Sequence, residues 1–386
     1  MYRRNEQNFD ITYKRTIKPR QLDAGYDDFI RQELQEQYEL IKMGATFRYN
    51  YSYAAKQISR KHKVEISDQT VMNRAKQWGY YKERRKSQNK HDSLVITNNT
   101  GKLIQHDSSH HLFAPLAGKK WYLITSLDDF SRLMVEARFV EAESSMEHIK
   151  SLERVFTNHG FPYSYYTDSH SIFRFVAGRD DMLFHKNYYV PNDGVDTQWL
   201  QVLKECGVIR RNALSPQAKG KIERPYQWLQ DHIVRRCMSD KVTSISQGQK
   251  ILNEEVQFYN YKRIHSTTGE IPYYRFQRAK REGNNLWRSF TIPKPFLLKE
   301  AVFAFRLKRH ADGYRKISLK KLKFNVNGLN PYDDVDIRIY KCDNQTSKLR
   351  FWRNERLLDT QIFKNDQLAL SKKQPPAKSL HFTGET

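Results

Sequence analysis

Three acidic residues stand where the sequence pattern breaks: Asp107 in IQHDSSHHLF, Asp168 in YSYYTDSHSIF and Glu223 in LSPQAKGKIERPYQWL. Asp107 follows the apolar pair Leu103 and Ile104 and precedes a turn-like Ser108-Ser109. Asp168 closes the aromatic, β-prone run from Tyr163 to Thr167. Glu223 comes just after Gly220, where Ile222, Tyr226, Leu229 and Ile233 recur at helical spacing. Carboxylates gathered from separate elements suit a hard cation such as magnesium, which takes a few of them and keeps its other positions for water and phosphate oxygens. Two such ions roughly 3.5–4 Å apart can clamp the attacking and leaving oxygens of an in-line displacement at phosphorus. The chain holds 43 Asp and Glu, most of them expected on solvated surface, so the trio alone says little. Lys219, Lys221 and Arg224 surround Glu223, and three cations around one such carboxylate fit a phosphate-rich substrate better than ordinary surface charge.

Composition points the same way. The 386 residues allow two to four domains, and 67 Lys and Arg leave a net charge of +24, the excess that a polyanion-binding surface needs. Cys206, Cys237 and Cys342 are far apart in sequence, so neither a disulfide framework nor a CxxC metal site is expected, and a reducing interior is. The opening MYRRNEQNFD has no apolar core for a signal peptide, and no run approaches the roughly 20 apolar residues of a membrane span. We therefore expect a cytoplasmic, nucleoid-associated protein that meets no membrane. His106, His110 and His111 flank Asp107 without a partner pair of cysteines, so they are expected to pack or to contact DNA rather than to bind zinc. Walker A, GxGxxG and nucleophile-elbow patterns are absent.

The elements that must position these groups are legible along the chain. Residues 1–25 form a basic arm, and helical spacing of Ile30, Leu34, Tyr38 and Ile41 runs from Asp27 to Met43, stopped by Gly44. Ser52 is expected to cap a helix burying Ala54, Ala55 and Ile58, and Ser67 a second one burying Val71, Ala75 and Trp78. Residues 26–81 thus read as a helix-turn-helix region presenting Gln69, Asn73, Arg74, Lys76 and Gln77 to DNA. KERRK follows, with Arg84 and Arg85, in a basic linker over 82–99 suited to tracking phosphates. Runs Trp121–Leu127 and Leu133–Val140 read as strands around a polar turn holding Asp128 and Asp129. Ser144 and Glu147 form a capping-box pattern before a helix burying Met146, Ile149, Leu152, Val155 and Phe156. The polar, aromatic stretch GRDDMLFHKNYYVPNDGVD reads as an insertion, its acids surface groups, and Thr197 opens a short helix with Leu200 and Leu203 inward. Pro225 requires the helix bearing Glu223 to start close by or to kink. Beyond residue 290, alternating apolar and basic runs divided at DG, NG and DN read as a small antiparallel β-barrel over 281–365. Arg306, Lys308, Arg309, Lys320, Lys321 and Lys323 would form its basic face, and 366–386 a disordered tail.

The words HDSSHHLF, SLDDFSRLMVEARF, YTDSHSIFRF, SPQAKGKIER and FYNYKRIHSTTGEIP, in that order, resemble the DDE transposase and retroviral-type integrase family, in its bacterial insertion-sequence branch. The resemblance runs from about residue 100 to 275. It implies a multidomain α+β chain: a helix-turn-helix region, an RNase H-like α/β catalytic core over 100–280 and the C-terminal barrel, which resembles that of phage Mu-type transposases. On this resemblance Asp107, Asp168 and Glu223 fall on the three catalytic positions and would hold two Mg²⁺ or Mn²⁺ ions, while Asp128 and Asp129 take a structural role. Asn260 and His265 would brace the domain, with Arg263 near DNA. The implied activity is nicking of transposon ends and joining of the 3′-hydroxyls to target DNA by a homo-multimer, a helper protein being left open. Two other readings stay open: a catalytically silent transposase-derived repressor, and an RNase H-like structure-specific nuclease.

Overall fold

The computed structural model describes residues 24–81, 97–167, 197–212, 220–319, 322–343 and 345–365. The chain divides into two compact units, Met1–Gln88 and Asn89–Thr386.

In the first unit, α1 (Ala24–Lys42), α2 (Tyr51–His62) and α3 (Asp68–Gln77) follow one another through short connections. Ile30 and Leu34 of α1 close over Ala54, Ala55 and Ile58 of α2 and over Val71 and Ala75 of α3. The small alanines let the three helices approach closely enough to bury their apolar stripes. Asn50, not Ser52, caps α2: its side chain accepts from the Tyr53 N–H, and Gln37 bonds both backbone groups of Asn50 at 2.8 and 3.2 Å. Asn50 outcompetes Ser52 because Gln37 already holds its backbone in the extended conformation a cap needs. Lys63 turns the chain out of α2 in the left-handed region, φ 56°, and Ser67 caps α3 by accepting from Thr70 N at 3.1 Å.

The second unit is built on a five-stranded sheet in the order β3-β2-β1-β4-β5. Its strands are β1 (Ile104–His111), β2 (Trp121–Asp128), β3 (Met134–Val140), β4 (Ser164–Thr167) and β5 (Ile209–Asn212). β1 to β3 form an antiparallel meander, whereas β4 runs parallel to both β1 and β5. Alternation along the strands sends side chains to two different cores. On one face Ile104 and Tyr165 meet Ile149, Leu152, Val155 and Phe156 of α4 (Ser145–His159) and Trp199, Val202 and Leu203 of α5 (Gln198–Glu205). On the other, Trp121, Leu123 and Leu127 meet α6 (Gly220–Ser239) and α7 (Ile245–Tyr261) through Tyr226, Leu229, Ile233, Ile251 and Leu252.

Local signals are partly redirected by these contacts. Ser144 caps α4, accepting from Glu147 N at 3.3 Å, but the Glu147 carboxylate pairs with Arg138, so the capping box is half formed. A complete box instead opens α7, between Ser244 and Gln247. In α5 the inward groups are Trp199, Val202 and Leu203, with Leu200 only half-buried. α6 starts at Gly220, which places Pro225 in its second turn, where the ring removes a donor from the ladder.

After α8 (Pro272–Arg281) and the short α9 (Lys299–Val302) come β6 (Phe305–His310), β7 (Lys316–Leu319), β8 (Leu322–Asn325), β9 (Asp334–Lys341), β10 (Thr346–Arg353) and β11 (Arg356–Lys364). They make an antiparallel sheet in the order β11-β10-β9-β6 and a separate β7-β8 ribbon around Leu307, Ile317, Phe324, Ile337 and Phe351. Among the described residues the ladders do not close into a barrel: the ribbon joins β6 by one bridge, Ala311 to Ile317, and reaches β11 through the Gln361 side chain on Asn325 O. This region shares a core with the central sheet, since Phe296, Val302, Phe303 and Trp352 pack with α4 and α5. No helix among the described residues is long and apolar enough to cross a membrane.

Candidate active site

Asp107 lies near the middle of β1, the central strand, directly opposite Thr125 of β2. Its flanking side chains leave on the opposite face, as strand alternation requires. On the Asp107 face the α6 tyrosine Tyr226 bridges the two strands. Its hydroxyl donates to Asp107 O at 2.6 Å and accepts from Thr125 Oγ1 at 2.7 Å. Burial, and then the negative charge of Asp107, hold the Tyr226 phenol well above its ordinary value, so it stays a neutral donor. One turn further along α6, Gln230 Nε2 donates to Ser109 Oγ at 2.5 Å. These bonds fix the helix over the strand, and Glu223 is the residue one turn N-terminal to Tyr226. Only the backbone of Glu223, Lys221 and Arg224 is described.

β4 lies on the other side of β1 and runs in the same direction, with Ile104 opposite Tyr165 and Gln105 opposite Tyr166. It ends at Thr167, the residue before Asp168; Asp168 itself and Lys219 lie outside the described residues. Among the described residues no group of three or more His, Cys, Asp or Glu is arranged to hold a metal ion. What Asp107 offers is a half-buried carboxylate, and its imidazole neighbour His106 is turned to the far face, so the donor chemistry here is oxygen.

On that far face, His106 is fully buried and hydrogen-bonded at both nitrogens: Nδ1 to Ser126 Oγ and Nε2 to His148 Nδ1, each 2.8 Å. His148 Nε2 meets Glu143 Oε1 at 3.0 Å, and Ser108 Oγ donates to the same carboxylate. With neutral rings only one proton order satisfies all partners: His148 Nε2–H donates to Glu143, His106 Nε2–H to His148, and the Ser126 hydroxyl to His106. His110 stacks on Tyr122 at 4.1 Å and His111 meets Phe113 edge-on. Tyr226, Glu143 and His148 were not singled out as site residues from sequence. Tyr226 reads there as one more apolar position of a helix, and nothing local marks where its hydroxyl points.

Asp128 and Asp129 pin the turn after β2. Asp128, fully buried, accepts from Gly101 N at 2.7 Å, Ser131 Oγ at 2.5 Å, Ser131 N at 2.9 Å and Thr100 Oγ1 at 3.1 Å. Burial still pushes its carboxyl above the usual range. Asp129 receives Thr97 Oγ1 and Gln105 Nε2, each at 2.6 Å, and Arg132 at 3.1 Å. Asn260 grips the start of β3, donating to Met134 O at 2.9 Å and accepting from Met134 N at 3.0 Å. His265 is buried, accepts from Thr267 N and closes a turn on Glu270 O.

The basic and amide residues expected on DNA are placed as follows. On α3, Gln69, Asn73, Lys76 and Gln77 are exposed, with Gln69 Nε2 donating to Asn73 Oδ1 at 2.9 Å. Arg74 is half-buried and held by Asp27 of α1 at 2.8 Å, which takes its guanidinium out of the exposed row. Arg263 lies over the Trp228 ring at 4.5 Å, half-buried. Arg306 is not part of a basic face: it is half-buried and paired with Glu205 because β6 packs on α5. Lys308 and Lys323 are exposed; Arg84, Arg85, Lys320 and Lys321 lie outside the described residues.

Together these features define a mixed α/β protein with an acid on the central strand of its sheet and a helix bonded directly to that acid's backbone. In sequence the chain is similar to transposases, and it resembles the DDE transposase and integrase family. It is 27% identical over 207 residues to a protein described as "Putative transposase y4bF" from Sinorhizobium fredii (strain NBRC 101917 / NGR234), covering 54% of this chain and 43% of that one. It is 27% identical over 161 residues to the transposase for insertion sequence IS1202 of Streptococcus pneumoniae, covering 42% of this chain and 32% of that one. The chain therefore spans less than half the length of either relative. Among solved structures, the HTLV-2 integrase catalytic core domain in complex with magnesium overlaps 47% of this chain and 97% of its own, at 13% identity and a TM-score of 0.33. No protein-family model matches the sequence.

Proposed function

We propose that this chain is a DDE-type transposase or integrase, a polynucleotidyl transferase whose three acids are Asp107, Asp168 and Glu223. The observation that carries the reading is the seat of Asp107. It lies on the central strand, with parallel β4 leading the chain to Asp168 and Tyr226 tying α6 to the Asp107 carbonyl one turn beyond Glu223. The sheet order, an antiparallel meander followed by two parallel strands, supports an RNase H-like core. Two divalent cations, Mg²⁺ or Mn²⁺, held by these carboxylates would supply charge stabilisation at the phosphate and a water acidic enough to attack it. The substrate is double-stranded DNA. Water nicks the strand at each element end to leave a 3′-hydroxyl, and that hydroxyl then attacks a target phosphodiester, with no protein nucleophile taking part.

Lys219, Lys221 and Arg224 flank the third acid and would hold phosphates there. The exposed Gln69, Asn73, Lys76 and Gln77 of α3 would read the element ends as a helix-turn-helix, with Arg84 and Arg85 on the backbone beside it. Lys308 and Lys323, with Lys320 and Lys321, would add phosphate contacts from the C-terminal sheets, and joining two ends calls for a homo-multimer.

The test incubates the protein with duplexes carrying the flanking ends of its own gene and Mg²⁺ or Mn²⁺, comparing wild type with Asp107→Asn, Asp168→Asn and Glu223→Gln. Metal-dependent 3′-end nicks and strand joining in wild type, lost in all three variants, are expected. End binding without cleavage in wild type would place the chain among silent DNA-binding repressors. Cleavage of branched or hybrid substrates without joining would make it a structure-specific nuclease.

A further inference from the structure

The face of the sheet behind Asp107 carries a ring of side-chain hydrogen bonds that closes through the β1 backbone. From His106 it passes to His148, then Glu143, then back to the strand at Ser108. The two residues that leave the ring for β1 are the immediate neighbours of Asp107 on either side. A third tie anchors the ring to the next strand, where Ser126 Oγ holds His106 Nδ1 at 2.8 Å. His106 and His148 are fully buried, so the bond between them lies out of solvent, where it is costly to break, while Glu143 and Ser108 are half-buried. In front of the sheet, Tyr226 holds the Asp107 carbonyl at 2.6 Å. The peptide that carries the carboxylate is thus gripped from both faces. A core that needed only to be filled would place apolar side chains at 106, 148 and 226, each far cheaper to bury.

We propose that Glu143, His148 and Tyr226 are positioning residues for Asp107: they set the strand geometry from which its carboxylate meets a divalent cation. The inference rests on the catalytic reading given above. Glu143 acts through the two neighbours of Asp107, and Tyr226 through its carbonyl and through the spacing between β1 and α6. None of the three is a ligand. Outer partners of this kind typically change metal affinity or activity about 10–100-fold when removed.

The test measures Mn²⁺ binding to the full chain by loss of the free-ion EPR signal, alongside Mn²⁺ dependence of end nicking. The variants are Glu143→Gln and Tyr226→Phe, which keep shape, with Asp107→Asn as the ligand control. Tyr259→Phe removes another buried hydroxyl from the same helical layer and controls for packing loss. The expected result is an Mn²⁺ affinity weakened about tenfold or more in Glu143→Gln and Tyr226→Phe. Nicking at saturating Mn²⁺ should approach wild type, Tyr259→Phe should bind normally, and far-UV circular dichroism should not change. Affinity within twofold of wild type in both variants, while Asp107→Asn abolishes binding, overturns the positioning role and leaves the catalytic reading standing. Equal Mn²⁺ binding by wild type and Asp107→Asn overturns both.

Discussion

Replacing Glu205 by Gln should loosen the C-terminal sheets from the core of the five-stranded sheet. Glu205 ends α5, and one carboxylate there serves two guanidiniums from different strands. Arg306 of β6 reaches it at 2.5 and 3.1 Å, and Arg338 of β9 at 2.8 and 3.2 Å. The side chains of Glu205, Arg306 and Arg338 are only 24%, 10% and 12% exposed. Gln would remove the charge that balances both cations and turn an N–H₂ group toward a donor. Taking one partner from a buried pair costs about 3–5 kcal/mol, because the remaining charges stay desolvated. At roughly 2–4 °C per kcal/mol for domains of 150–250 residues, the melting temperature should fall by about 6 °C or more at pH 7.

The pH dependence sharpens the test. Burial pushes the Glu205 carboxyl up, but hydrogen bonds and charge from Arg338 and Arg306 outweigh it and hold the group below the usual carboxylate range. A depressed folded value means that the stabilisation is fully present above the unfolded value, about 4.3, and is lost as pH falls through the folded one. The melting gap between wild type and Glu205→Gln should therefore narrow below about pH 4, the carboxylate range. Differential scanning fluorimetry from pH 3.5 to 8 measures this. A gap under 1 °C at neutral pH, or one unchanged on acidification, would refute the reasoning. Replacing all three residues by well-packed apolar ones should recover most of the loss.

Three further outcomes follow from the backbone. Asn260→Ala strands both buried backbone groups of Met134 and should cost about 2–6 kcal/mol in urea unfolding, at about 1–3 kcal/mol for each unpaired group. Unchanged stability would mean that β3 has found other partners. Gly160→Ala would put a Cβ 2.2 Å from Arg288 O at φ +97°, so soluble folded protein should be lost. Gly118→Ala, at φ +67° with nothing within 4 Å, should cost only the left-handed penalty of about 1–2 kcal/mol.

Much of the local structure is written in the sequence because it depends on residues a few positions apart. The strands at Trp121–Asp128 and Met134–Val140, the α4 stripe of Ile149, Leu152, Val155 and Phe156, and the Ser67 and Ser144 caps all follow from period and capping chemistry. Asp107 reads there as the end of a strand before a turn-like Ser-Ser, yet it lies in the middle of β1, with Ser108 and Ser109 paired to Ile124 and Leu123 of β2. The acid trio is proposed from words and order alone, and of its side chains Asp107 is the one described. Partners were not legible, because they are chosen across distances that no local period encodes. Arg306 reads as a surface cation until β6 packs on α5 and Glu205 claims it. Arg74 reads as a DNA contact until α1 brings up Asp27. Ser52 loses its cap to Asn50 through Gln37, thirteen residues away. Tyr226 and Glu143 become neighbours of Asp107 only once α6 lies over β1 and α4 docks behind it, since a hydroxyl or carboxylate takes its role from what packing places within reach.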